Sequence, residues 1–189
     1  MDIIETGNQR MVVLPLEAKF LQSNNILIMG EITSEACNDW IQQLLYLGST
    51  LSEGETITML INSPGGSVYD GLGVYDMMQN VISRGINIKT VNVGTAWSMA
   101  MILLMSGTQG MRYATPHSST LVHEISHWTE GKTPMLMDDL EEMRRLQGQM
   151  NDLITKHADP VLIDLCNRKD LWLDAKQAVE YKIVDEIKV

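Results

Sequence analysis

A serine lies where a predicted strand gives way to a predicted helix. Ser98 follows a β-branched run over residues 86–93 and directly precedes an apolar run over residues 99–105. A serine on a sharp turn between strand and helix exposes its hydroxyl beside helix N–H groups, which is the geometry that a serine nucleophile needs. Serine is also a common helix N-cap, and spacing alone favours that interpretation. The candidate nucleophile therefore needs support from other residues.

One of the four histidines could serve as the base for such a serine. His123 ends a β-prone stretch over residues 119–122. An imidazole with a near-neutral pKa can take a proton from serine and return it to a leaving group. A base of this kind needs a carboxylate to fix its tautomer. Spacing does not select that carboxylate among the 24 acidic residues of the chain.

The same segment offers a competing zinc site. His123, Glu124 and His127 match the His-Glu-x-x-His signature, in which two imidazoles on one helix face bind zinc and the glutamate acts as base. The preceding residues favour a strand rather than a helix. Glu130 and Thr133 stand where the extended signature needs glycine and histidine. The serine interpretation is preferred, with a zinc peptidase as an alternative.

A glycine-rich turn occupies residues 62–67, Asn-Ser-Pro-Gly-Gly-Ser. It lies between a predicted strand at residues 56–61 and a predicted helix that starts near Val68. Paired glycines allow a backbone to approach a ligand and to present its N–H groups. No Gly-Lys-Ser/Thr follows, so this is not a phosphate-binding P-loop. A plain tight turn would fit the same residues.

The predicted elements alternate between strands and helices, which indicates an α/β fold in a single domain over residues 1–189. Strands are predicted at residues 26–29, 56–61, 86–93, 110–114, 119–122 and 183–187, and helices at 16–23, 33–47, 68–82, 97–106, 134–157 and 175–181. Residues 1–15 form a mobile or extended arm. The helix at 134–157 carries a heptad-like stripe that suits packing on another helix or on its own domain: Leu136, Leu140, Met143, Gln147, Met150, Ile154 and His157.

Composition and charge exclude several classes of function. The net charge of −10 argues against nucleic acid or an anionic membrane as a partner. The two cysteines, Cys37 and Cys166, are far apart and resemble neither a disulfide framework nor a metal site, which suits a reducing compartment. No signal-peptide segment or long apolar run occurs. We therefore expect a cytoplasmic protein.

Several motifs in one order resemble the Clp protease family of the ClpP/crotonase fold, from about residue 26 to 187. They are Ile61-Asn62-Ser63-Pro64-Gly65-Gly66, Gly94-x-Ala96-x-Ser98-Met99-Ala100, Arg112 with Pro116 and Leu121-Val122-His123, and Ala178-Val179-Glu180-Tyr181 with Val184-Asp185. The resemblance implies an α/β fold of stacked β-β-α units with a long handle helix protruding at about residues 134–157. It also implies a serine endopeptidase that cleaves unfolded polypeptides inside an oligomeric chamber.

The resemblance supplies the residue roles that spacing leaves open. It implies that Ser98 is the nucleophile, His123 the base and Asp170 the acid that orients the base. It further implies that the backbone N–H groups of Gly66 and Met99 stabilise the oxyanion. Both donors would aim at one developing charge, which is the arrangement that acyl transfer requires.

The resemblance also implies partners. Two stacked rings of seven copies would enclose the active sites, and a hexameric AAA+ unfoldase would feed them. This subunit would need no cofactor, because ATP is used by the separate ATPase. Neither nucleic acid nor membrane is an expected partner.

The chain departs from the family pattern at Trp97, at Glu124-Ile125 and at Lys169, and also over residues 7–22 and 126–132. Trp97 replaces a small residue and is expected to narrow the substrate pocket or to repack the nucleophile helix. Lys169 replaces an arginine tied to ring contacts, and the two are not interchangeable in bidentate pairs. These departures indicate a divergent paralogue or a phage-type relative. They leave two alternatives, a weak or inactive ring subunit paired with an active paralogue and an acyl-CoA enzyme on the same fold.

Overall fold

The computed structural model describes residues 2–7, 10–126 and 130–188, with side chains from residue 15 onward. The chain opens with an antiparallel pair of strands, β1 (Asp2–Gly7) and β2 (Arg10–Pro15). The segment predicted as a mobile or extended arm is thus extended and paired with itself. It forms a two-stranded sheet separate from the main one.

The remaining elements alternate along the chain as an α/β fold requires, and the predicted fold class with its long helix is confirmed. They are α1 (Leu16–Gln22), β3 (Asn25–Met29), α2 (Ser34–Thr50), β4 (Thr56–Ser63), α3 (Val68–Ser83), β5 (Asn87–Trp97), α4 (Met99–Met105), β6 (Arg112–Ala114), β7 (Ser119–Val122), α5 (Thr133–His157), α6 (Val161–Cys166), β8 (Leu171–Asp174), α7 (Ala175–Glu180) and β9 (Glu186–Ile187).

The main sheet has seven strands and branches at β5. Strands β3, β4, β5, β6 and β9 are neighbours in that order, and each adjacent pair is parallel. β5 pairs with β6 over residues 90–92 and then with β7 over residues 95–97. β8 pairs antiparallel with β7. The last residues of β5 therefore border a small branch made of β7 and β8.

The helix that follows β5 is the most deeply buried element of this region. All seven residues of α4 are buried, as the uninterrupted apolar run predicts. The core around it includes the inward residues of β3 and β4, which alternate along each strand: Ile26, Ile28, Ile57, Met59 and Ile61.

The long helix α5 has 25 residues, so it extends about 38 Å at 1.5 Å per residue. Its second half packs on the core through Leu146, Met150 and Ile154, which are buried. Its first half leaves three large apolar side chains exposed: Met135, Met137 and Leu140. Packing of this helix on its own domain was one of the two predicted alternatives, and it holds only for the second half of α5.

One buried cation joins the C-terminal ends of α4 and α5 to the β6–β9 edge. Arg112 is 5% exposed and makes a two-point contact with the Asp185 carboxylate, at 2.6 Å from Nη2 and 3.0 Å from Nε. Its Nη1 donates to the carbonyl oxygens of His157, at 2.6 Å, and Met105, at 3.2 Å. Because every partner is on a different segment, Arg112 fixes the packing of this end of the molecule.

The structure also differs from the sequence prediction in places. Trp97, predicted to begin a helix, ends β5, because pairing with β7 extends the strand. The short elements α6 and β8 were not predicted. Within the described parts of the chain, no helix combines the length and apolar character needed to cross a membrane.

Candidate active site

Ser98 is the single residue between β5 and α4, and its backbone conformation is unusual. Its φ of +55° and ψ of −125° lie in a region that residues with a Cβ rarely adopt. Its N–H donates to the carbonyl oxygen of Leu121 at 2.9 Å. Although Ser98 occupies the N-cap position, its side chain makes no capping hydrogen bond within the described structure. The hydroxyl is therefore not engaged in the role that the N-cap interpretation assigns to it.

The glycine turn presses directly against the Ser98 turn. A Cβ added to Gly65 would lie 2.6 Å from the carbonyl oxygen of Trp97 and 3.2 Å from the backbone nitrogen of Met99. A Cβ added to Gly66 would collide with the carbonyl oxygen of Ile32. Both glycines also have positive φ, +89° and +148°. The close approach and the backbone conformation both require glycine here.

A small cavity of about 80 Å³ lies at this junction. Its lining includes four of the five predicted site residues: Gly66, Ser98, Met99 and His123. The predicted nucleophile, the predicted base and both predicted oxyanion donors thus come from three separate segments and meet at one small space. This arrangement could place a scissile carbonyl beside the Ser98 hydroxyl.

A second cavity of about 400 Å³ adjoins the first and shares Gly66 and Ile125 with it. Its walls come from the start of α3 and from buried and half-buried residues of α5. Met143 and Leu146 supply apolar surface on the α5 side. The volume and the mixed lining suit the side chains of an extended peptide.

Three polar side chains connect the two walls of this second cavity. The hydroxyl of Tyr69 donates to Oε1 of Glu142 at 2.5 Å, and Arg145 donates to both oxygens of the same carboxylate, at 2.6 and 2.7 Å. Hydrogen bonds from Arg145 and then from Tyr69 lower the pKa of Glu142 to about 2. Glu142 therefore stays ionised across the range of pH in which proteins usually work.

The predicted acid, Asp170, lies next to His123 in the sheet register. The last pair of the β7–β8 ladder joins Val122 to Leu171. His123 directly follows Val122 and Asp170 directly precedes Leu171, so the two residues would form the next pair. Asp170 is exposed. Among the described residues, Asp170 does not line the Ser98 cavity, and no hydrogen bond or ion pair joins it to His123.

The zinc alternative rests partly on His127, which lies outside the described residues. Residues 123–126 follow β7 and are not helical, so they do not supply the helix face that the His-Glu-x-x-His signature uses. No group of three or more histidine, cysteine, aspartate or glutamate side chains positioned for a metal occurs in the described parts of the chain.

Trp97 contacts β7 and β8 rather than the cavities. Its indole packs edge-to-face on Trp172, with ring centroids 5.0 Å apart and an interplanar angle of 84°, and Nε1 lies 3.3 Å from Oγ of Ser119. It is not among the described residues that line either cavity. Trp97 thus narrows neither of these cavities, because the strand that it ends directs its side chain toward β7 and β8. The other expectation, that Trp97 repacks the nucleophile helix, stays a prediction.

Three residues that line the cavities were not anticipated from the sequence: Tyr69, Glu142 and Cys166. Tyr69 and Glu142 are 73 residues apart and meet only because α5 folds back over α3. Cys166, on the unpredicted helix α6, reaches the cavity beside Ser98. No local spacing in the sequence could have indicated either contact.

Comparison with known proteins gives consistent matches. A family model described as Clp protease matches residues 8–189. A protein of Bacteroides fragilis named ATP-dependent Clp protease proteolytic subunit is 33% identical over 98% of this chain and 88% of its own length. Proteins of the same name from Bacteroides thetaiotaomicron and Porphyromonas gingivalis are 33% and 32% identical, over 98% of this chain and 83% and 82% of their own lengths.

Proposed function

Because this chain belongs to the Clp protease family, we propose that it is a serine endopeptidase, the proteolytic subunit of an ATP-dependent machine that degrades unfolded polypeptides. One observation carries the proposal. Ser98 and His123 line one cavity of about 80 Å³ together with Gly66 and Met99. A nucleophile, a base and two backbone donors at one point are the minimum that acyl transfer by serine requires.

In the proposed reaction, Oγ of Ser98 attacks the carbonyl carbon of the scissile peptide bond. His123 accepts the hydroxyl proton and returns it to the leaving amine, and Asp170 orients the imidazole. The N–H groups of Gly66 and Met99 stabilise the negative oxygen of the tetrahedral intermediate. The loss of one such donor typically costs about 3 kcal/mol of transition-state stabilisation. Water then hydrolyses the acyl-enzyme by the same proton transfers.

The adjoining cavity of about 400 Å³ is the proposed binding site for the rest of the peptide. Its walls lie on α3 and α5, so an extended polypeptide would run between these helices toward Ser98. The exposed apolar residues of α5, Met135, Met137 and Leu140, are the proposed contact with a second ring. A hexameric AAA+ ATPase would unfold and deliver the substrate, and the ATP would be used there.

An inactive or weakly active ring subunit is the second candidate, and one observation favours it. Among the described residues, no hydrogen bond links His123 to Asp170. Without an oriented base, the nucleophile would react slowly. Such a subunit would contribute to the assembly beside an active paralogue.

Labelling with a fluorophosphonate probe separates these candidates. The purified protein, its Ser98→Ala variant and a Ser49→Ala control in the exposed part of α2 would be labelled with and without EDTA, and the adduct mapped by mass spectrometry. We expect an adduct on Ser98 that is insensitive to EDTA, is lost in Ser98→Ala and is retained in Ser49→Ala.

Other outcomes would contradict the proposal. Peptide hydrolysis that persists in Ser98→Ala would exclude Ser98 as the nucleophile, and hydrolysis abolished by EDTA would favour the zinc site. If no adduct forms, even after addition of a candidate ATPase and an active paralogue, the inactive subunit is the correct assignment.

A further inference from the structure

We propose that Trp97 and Glu124 hold the chain on either side of Asp170 and thereby set the position of its carboxylate relative to His123. Both would be positioning residues, since neither is proposed to touch the substrate. The inference rests on the proposed function, because it gives these residues their effect through the Ser98–His123–Asp170 set.

Asp170 needs such support because its own contacts do not hold it. Its side chain is exposed and makes no hydrogen bond or ion pair with any described residue. The strand that it precedes, β8, has four residues and pairs with β7 alone among the described strands. The position of the carboxylate therefore depends on what fixes the backbone before and after residue 170.

Trp97 fixes the chain after Asp170. Its indole packs edge-to-face on Trp172, at 5.0 Å between ring centroids, and is itself held by the 3.3 Å contact of Nε1 with Ser119. Trp97 and Trp172 both pair with Leu121, so the two rings meet across β7. Because side chains alternate along a strand, Trp172 and Asp170 lie on the same face of the sheet.

Glu124 fixes the chain before Asp170. Its Oε2 accepts a hydrogen bond from the backbone N–H of Arg168 at 3.2 Å. Arg168 has a φ of +63° and belongs to the turn that leads into β8. Since Glu124 directly follows His123, this contact joins the turn to the segment that carries the proposed base.

The two contacts lie two residues before and two residues after Asp170, so together they oppose sliding of β8 along β7. A slip of one residue would move Asp170 to the other face of the sheet, away from His123. A short strand held by one neighbour has little else to prevent such a slip. The contacts of Trp97 and Glu124 thus help to fix the register between β7 and β8, which four residue pairs alone specify weakly.

A double-mutant cycle tests this role. Trp97→Ala and Glu124→Ala would be made alone and in an Asp170→Asn background, and kcat and KM measured with a fluorogenic peptide. We expect each single variant to lower kcat about tenfold with little change in KM, and to cost less than twofold further once Asp170 is replaced. Trp97→Phe and Glu124→Gln should retain most activity, because a phenyl ring and an amide oxygen can keep the two contacts.

The outcomes distinguish this inference from the proposed function. If Trp97→Ala lowers kcat by the same factor with and without Asp170, its effect does not pass through that carboxylate and the inference is overturned alone. If Asp170→Asn has the kcat of the unmodified protein, the proposed role of Asp170 fails and the inference fails with it.

A second measurement does not depend on activity or on catalytic competence. Backbone hydrogen exchange over residues 167–174 would be followed by mass spectrometry in the full chain. We expect faster exchange there in Trp97→Ala and Glu124→Ala, with unchanged exchange over residues 87–93, and no acceleration in Trp97→Phe or Glu124→Gln. Unchanged exchange over residues 167–174 in both alanine variants would overturn the inference.

Discussion

At the scale of single residues, Ser98 combines a proposed chemical role with a strained backbone. Its φ of +55° and ψ of −125° are readily accessible only to glycine. A residue held in such a region typically costs about 1–3 kcal/mol of folding free energy. The turn between β5 and α4 therefore carries a serine at a position where the backbone conformation favours glycine.

The strain at Ser98 predicts an order of stability between two variants that both lack the hydroxyl. Ser98→Gly should be more stable than Ser98→Ala by about 1 kcal/mol, because glycine relieves the unfavourable φ. Urea unfolding measures the difference. Ser49 in α2 provides the control, since there glycine should be less stable than alanine by about 1 kcal/mol. Equal stability of the two Ser98 variants would show that the backbone is not strained.

His157, at the end of α5, is held in its neutral form. Burial, followed by the positive charges of Lys156 and Arg112, lowers the pKa of His157 from its usual 6.5 to about 4. Nε2 of His157 lies 3.1 Å from the hydroxyl of Tyr75, which also accepts from Nζ of Lys156 at 3.0 Å. A neutral imidazole is compatible with this contact in either tautomer.

This environment predicts how stability depends on pH. Between pH 6.5 and 4 the unfolded chain binds a proton at His157 that the folded chain does not bind, so the free energy of unfolding falls as the pH is lowered through this window. In His157→Gln the slope between pH 6.5 and 4 should be shallower than in the unmodified protein. Urea unfolding at several pH values measures both slopes. Identical slopes would mean that His157 titrates normally in the fold.

At the scale of secondary-structure elements, Arg112 has the largest expected effect on stability. It is buried, and removing its side chain would leave two helix-terminal carbonyl groups without a donor and the Asp185 carboxylate with backbone N–H donors only. Arg112→Ala should lower the free energy of unfolding by about 3–5 kcal/mol, as expected when one partner of a buried pair is lost. Arg145→Ala, which breaks an exposed pair with Glu142, is the control and should change stability little. Equal losses in the two variants would contradict the argument.

The elements that could be predicted from sequence are those that are long and regular. α2, α3 and α5 have apolar residues at helical spacing, and β4 has the residues and flanking turn of a strand. β8 and α6 have four and six residues, too few to show a period, and they form because Leu173 and Leu162 reach the core. β5 runs past its predicted end because β7 is available to pair with it.

The same contrast applies to the candidate site. Ser98 and His123 are suggested by residue type at the end of a strand, which is local information. Asp170 follows only from the family resemblance, because its place beside His123 depends on the antiparallel register of β7 and β8. That register is set by packing between distant parts of the chain and leaves no mark on local spacing.

At the scale of the whole molecule, the first half of α5 predicts an association. Met137 is 65% exposed and lies between two other exposed apolar residues, Met135 and Leu140. If this surface joins two rings, Met137→Glu should shift the protein to a smaller assembly in sedimentation velocity, because a buried unpaired charge is unfavourable. Asp138→Asn, a neighbouring change between polar groups, should leave the assembly intact. An unchanged sedimentation coefficient in Met137→Glu would place the association surface elsewhere.

All residues of the proposed active site come from one copy of the chain, which has a consequence for mixed assemblies of active and inactive copies. Gly66, Ser98, Met99, His123 and Asp170 all belong to the same copy, as do both walls of the adjoining cavity. If no other copy contributes to the proposed site, copies lacking Ser98 and copies lacking His123 should not complement each other when co-assembled, and an inactive copy should remove only its own site. On that condition, activity should decline in proportion to the fraction of inactive copies, and a loss-of-function allele should not be dominant over a functional one.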